Sequence, residues 1–206
     1  MLNAKCFGNA KDTSFVFSIH NSAFRISQRG FTMVEIVLML AIITIISSVV
    51  LANFPSISGS INVQKTAQRF ALNIRKAQNQ ALAVRTVQGP AGPVVPRSVG
   101  INITTAAPTT YIMFAETAVN NRYDAGTDIL IETFNIETGI QLFELRNESN
   151  GLETAINIVF TVPSAEAAIH NAAASIGQSA LIRFRADRGG LIRSVRARTS
   201  GQVVVE

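Results

Sequence analysis

Residues 28–52 read QRGFTMVEIVLMLAIITIISSVVLA, and this stretch decides what kind of chain this is. From Ile36 to Ala52 seventeen residues run with only Thr44, Ser47 and Ser48 polar. Counted from Phe31 to Phe54 the segment holds 24 residues. That is about 36 Å of helix at roughly 1.5 Å per residue, enough to cross a hydrocarbon core of about 30 Å. A core helix of this length in a soluble protein ordinarily carries a polar face, and none is written here. Arg25 and Arg29 stand immediately before the run, and the first positive residue after it is Lys65. The positive-inside bias therefore puts the N-terminus in the cytosol and the chain beyond Phe54 on the other side of the membrane.

The remaining composition narrows the function classes. At 206 residues the chain has room for one ordinary domain and an appendage. Its formal charge is +5, but Lys5, Lys11, Arg25 and Arg29 against Asp12 place +3 of that before Phe31 and leave +2 for the rest. The high pI is thus partly a property of the first 30 residues and does not single out an anionic partner. Cys6 is the only cysteine, so an intrachain disulfide and a cysteine metal cluster are excluded, and a head outside the cytosol must rely on its core. The histidines are His20 and His170, the second in an alanine-rich stretch read as a loop. With no motif of an acid, base or nucleophile in the sequence, a structural subunit is expected rather than an enzyme.

One carboxylate sits where a membrane helix should avoid it. Glu35 is the fifth residue after Gly30, and an unpaired charge in hydrocarbon costs at least about 2.5 to 3.5 kcal/mol at mid-membrane depth. Two readings stand side by side. Glu35 is a functional group awaiting a partner, or it snorkels into the headgroups one turn from the cytosolic edge and favours the positive end of its helix.

The run Gln28-Arg29-Gly30-Phe31-Thr32-Met33-Val34-Glu35, followed at once by the apolar stretch, resembles the leader junction of type IV prepilins and type II secretion pseudopilins. The resemblance implies a leader over residues 1–30, cleavage between Gly30 and Phe31 by prepilin peptidase, and N-methylation of Phe31. It also implies that Glu35 compensates the new terminal amine of a neighbouring subunit during assembly, an ion pair formed inside a low-dielectric filament core. The partners implied are prepilin peptidase, other pilins or pseudopilins, and the lipid of the inner membrane.

Beyond the apolar run, Pro55 is expected to kink or interrupt the helix. Val63, Ala67, Phe70, Ile74, Ala77, Ala81 and Val84 then recur at alternating spacings of 4 and 3, one apolar stripe on an amphipathic continuation over residues 55–87. An alanine-rich stripe fits a sheet at close approach, and in the family resembled this half of the helix drapes over the head. Residues 88–97, with QGPAGPVVP inside them, read as a Gly/Pro connector. After it come short segments rich in β-branched residues: 98–104, 110–116, 129–136, 140–146, 155–162, 180–186, 191–198 and 202–205. The fold class expected is therefore α+β and pilin-like, a long N-terminal helix packed on an antiparallel β head over residues 98–206. The closing Gly201–Val205 segment resembles the terminal strand of minor pilins and minor pseudopilins with two-sheet heads.

Two constellations in the head carry site hypotheses. Residues 120–128 read NNRYDAGTD. Oxygen ligands on a Gly-containing turn, Asp124 and Asp128 above all, suit Ca²⁺, while the same residue types build any exposed turn. Six arginines, Arg183, Arg185, Arg188, Arg193, Arg196 and Arg198, crowd into sixteen residues against Asp187. Strand alternation puts Arg183 and Arg185 on one face with Ile182 and Phe184 on the other, and such a patch suits a DNA backbone. No aromatic residue is interleaved there to stack bases, and a charged edge strand or salt bridges to neighbouring subunits are the plainer readings of it. The function expected is a filament subunit, minor pilin or pseudopilin. The alternative is a single-pass anchored binding protein with an extracytoplasmic head, DNA in transformation being one ligand.

Overall fold

The computed structural model describes residues 30–90, 92–117, 120–188 and 190–206. The expectations for the leader and for Arg25 and Arg29 lie outside the described residues. The chain divides into two compact units, one ending at Thr44 and one running from Ile45 to Glu206.

The α-helix, α1 (Met33–Leu82), starts within three residues of Gly30. Its stretch Met33–Leu51 is long and apolar enough to cross a membrane, and none of it is buried within the protein. Thr44, polar in that run, turns its Oγ1 back onto the Leu40 carbonyl at 2.7 Å, which keeps its hydroxyl satisfied without water. Helical backbone continues through Pro55, so the expected interruption is absent. A proline removes one ladder hydrogen bond from a helix without obliging the chain to leave it.

Within the second unit the 4-and-3 stripe is the buried face. Val63, Ala67, Phe70, Ile74, Ala77 and Ala81 are all at most 1% exposed. Val84 is not part of it. The helix ends at Leu82, short of the expected residue 87. Val84 adopts a left-handed backbone with φ 48°, which breaks the helical period and leaves its side chain 43% exposed.

Residues 88–97 are not a plain connector. β1 (Val87–Gly89) and β2 (Gly92–Val94) pair antiparallel, Val87 opposite Val94. Prolines are tolerated because each strand of a two-stranded ribbon needs a ladder on one side only. The remaining strands form two five-stranded antiparallel sheets. The first holds β3 (Ser98–Thr104), β4 (Thr110–Glu116), β5 (Ile129–Asn135), β8 (Ala155–Thr161) and β9 (Ala167–His170), ordered β5-β4-β3-β8-β9. The second holds β6 (Ile140–Arg146), β7 (Leu152–Glu153), β10 (Ser179–Ala186), β11 (Ile192–Arg198) and β12 (Val203–Val205), ordered β12-β11-β10-β6-β7. β9 corrects the reading of His170 as a loop residue, since His170 ends a strand opposite Asn157. Its alanines carry little β-propensity, and only pairing with β8 makes it a strand.

The two sheets and the helix stripe share one core. Phe70 joins them, its ring edge-on to Tyr111 of the first sheet at 4.9 Å and to Phe184 of the second at 5.4 Å. Burying such a ring contributes about 1.5–3 kcal/mol. Around the rim, Asn73 Nδ2 donates to the Tyr111 hydroxyl at 2.8 Å, and Lys76 meets Glu132 at 2.6 Å. Glu137 takes both Lys65 and Arg69, at 3.3 and 3.2 Å. The chain is thus an α+β protein with antiparallel sheets.

Candidate functional site

At the start of the helix, Gly30, Phe31 and Thr32 precede the first helical residue. Thr32 is the N-cap: its Oγ1 accepts the Glu35 amide at 3.2 Å, and its carbonyl accepts the Glu35 and Ile36 amides at 3.0 and 3.2 Å. Thr32 and Glu35 stand at the spacing of a capping box. The cap takes the Glu35 amide, which in a longer helix would bond the Phe31 carbonyl, so Phe31 stays outside the helix. Phe31 is 67% exposed, and a Cβ built on Gly30 meets nothing within 4 Å. Among the described residues, then, nothing requires glycine at position 30. Glu35 is exposed in the first helical turn, and among the described residues no cation pairs with it. A carboxylate there is favoured by the helix dipole.

The segment 120–128 is a lid on the outer face of the first sheet. On that face Phe114, Gly100 and Val159 lie in register, and Phe114 packs against Tyr123 of the lid with ring centroids 5.3 Å apart. Gly100 is needed here, because a Cβ would lie 2.9 Å from the Ile158 carbonyl oxygen and 3.0 Å from Phe114. Glu116, 1% exposed, closes the lid: its carboxylate accepts the Ser98 hydroxyl and the amides of Asn120 and Asn121, both at 2.6 Å. Asp128 accepts the amides of Thr117 at 3.1 Å and Asp124 at 2.8 Å. Asp124 takes the Asn120 side-chain amide and lies 3.3 Å from Arg122 Nε. Asp124 and Asp128 are thus brought together as acceptors of the lid's own donors. No group of three or more His, Cys, Asp or Glu suited to a metal ion occurs among the described residues. His170 faces the same side as Asn157, and its Nδ1 is buried with no hydrogen-bond partner among the described residues. Burial holds its pKa below the ordinary value, opposed by the charge of Glu116.

The second sheet presents most of the predicted arginines on its outer face, but several are already engaged. Arg183 and Arg146 both bind Glu144, Arg146 through Nε and Nη2 at 2.9 Å each. Arg196 grips Glu206 at 2.9 and 3.4 Å. Arg185 lies over the Phe143 ring, 4.4 Å from its centroid. Phe143 is the extra residue where the register between β6 and β10 shifts, and the bulge turns its ring outward. Bidentate guanidinium contacts hold the carboxyls of Glu144 and Glu206 below their ordinary value. Arg198 is exposed on the same face. Arg188 lies in the turn after β10, and Arg193, opposite Phe184, falls on the core-side parity. The six arginines of the sequence are therefore not one patch. Arg146 joins the face from β6 instead, and no local motif announced it.

No family model, no curated protein and no solved structure matches this chain.

Proposed function

We propose that the chain is a type IV pilin-like subunit, a minor pilin or type II secretion pseudopilin, made as a prepilin and built into a filament through α1. One observation carries the reading: an exposed, non-helical Gly30–Phe31 step stands directly before a capped helix whose first stretch, Met33–Leu51, is apolar and wholly unburied. A protease needs its substrate outside a helix, and a glycine the fold does not use points to a requirement imposed from outside. The unburied apolar stretch suits lipid before assembly and the same stretch of neighbouring copies after it. Head topology follows from Arg25 and Arg29 on the cytosolic side.

Glu35 supplies the assembly chemistry in this reading. Its carboxylate pairs with the amine that cleavage creates on Phe31 of a neighbour. Inside an apolar bundle the unpaired carboxylate is the larger penalty, about 2.5 kcal/mol or more. Glu35→Ala is expected to lower filament yield more than tenfold while leaving the head folded. Mass spectrometry of the membrane-extracted protein tests the reading directly. A mature chain beginning at N-methylated Phe31 supports it. An intact leader overturns it and leaves the single-pass anchored binding protein.

A further inference from the structure

We infer that the outer face of the second sheet docks a protein partner whose surface interleaves carboxylates with apolar side chains. The inference goes beyond the filament reading and does not depend on processing at Gly30. One row of side chains crosses the sheet in register: Val204, Arg196, Leu181, Arg146 and Leu152. Apolar and cationic residues alternate along it at about 4.8 Å per strand. Its two ends are open, Val204 at 38% and Leu152 at 70% exposure. Phe143 and Ile192, each 38% exposed, add apolar surface beside Arg185.

The cations are of the kind that recognises carboxylates. Every lysine of the chain lies at or before Lys76, so every lysine or arginine cation of the head beyond it is an arginine. Arginine is the residue suited to planar, bidentate pairing with carboxylates at interfaces. Arg196 and Arg146 are each held in two-pronged contact with a glutamate, so their remaining N–H donors are ordered before a partner arrives. Glu144 is shared by two arginines, Arg146 and Arg183. Arg146, Arg183, Arg185, Arg196 and Arg198 outnumber Glu144 and Glu206 on this face and Glu148 at its edge beside Arg198, which leaves it net positive.

A protein fits this surface better than a nucleic acid does. Arg185 occupies the Phe143 ring that would stack a base, and the exposed Leu152 and Val204 have no use on a phosphate backbone. The first sheet's equivalent face is sealed by its own lid through Phe114 and Tyr123, whereas this one leaves Leu152, Val204, Phe143 and Ile192 open, Leu181 in the middle of the row being buried. The row spans about 19 Å across five strands, a short contact beside the roughly 800 Å² per partner of a standard stable interface. Such a contact is weak singly and becomes firm when repeated along an assembly.

The test uses the full chain in detergent micelles, with a fluorescent peptide of alternating glutamate and leucine as probe and poly-glutamate and duplex DNA as competitors. The peptide is expected to bind saturably and more tightly than poly-glutamate. Leu152→Asp, at an exposed position that the fold does not need, should weaken it at least tenfold, and Arg196→Gln about fivefold. Absence of peptide binding at low salt overturns the inference. So does binding that Leu152→Asp leaves unchanged, and so does duplex DNA binding more tightly than the peptide, which assigns the face to nucleic acid.

Discussion

The outer faces of the two sheets began as the same problem and were solved in opposite ways. Each sheet buries one face on the helix and the shared core and must dispose of the other. The first sheet covers its outer face with its own loop. Phe114 and Val159 are completely buried there, Gly100 makes room for them, and the buried Glu116 and Asp128 tie the loop down through backbone amides. The second sheet instead carries arginines and glutamates across its strands, with Val204, Leu152, Phe143 and Ile192 left open beside them. A sealed face is built for stability. A bare face ordered by ion pairs, whose pairs contribute little to stability, is built to meet something else.

The sharpest way to break this contrast is to open the seal. Phe114→Ala is expected to cost about 3–5 kcal/mol, because a fully buried ring leaves a cavity between sheet and lid, and denaturant unfolding of the full chain reads that loss. A pH series comes next, since the two faces should yield in different windows. His170 has a folded pKa below its ordinary 6.5, so the unfolded chain takes the proton first. Its contribution is complete above 6.5 and fades as the pH falls below it. Glu144 and Glu206 have folded values below their ordinary 4.5, so the second sheet's contribution holds until the pH falls past 4.5. Melting temperature should therefore drop in two stages, and His170→Asn should flatten the first stage alone. The smallest effect is expected from Arg196→Ala. Its pair with Glu206 is partly exposed, and the loss should stay within about 1 kcal/mol by thermal melting. A larger loss would mean that the bare face is structural after all.

Much of this was legible locally. The helix stripe and every long strand follow from spacings of 3 and 4 and from alternation of 2. The short strands β7 and β9 and the ribbon β1–β2 were not legible, because two to four residues carry too little pattern and exist only through a partner strand. The candidate sites divided the same way. Gly30, Phe31 and Glu35 lie within one short run. The cluster of arginines read from sixteen consecutive residues came apart, because strand parity and the β10–β11 turn send its members to different surroundings.

By itself the amino-acid sequence determined an apolar rod, a helical stripe that needs a sheet, and strands that alternate inside and outside, since each depends on a period of a few residues. Only the tertiary structure decided which charges are spent and which are left. Arg183 meets Glu144 across 39 positions, and Lys76 meets Glu132 across 56. Pairings at that separation are set by strand order and register, which no local spacing encodes.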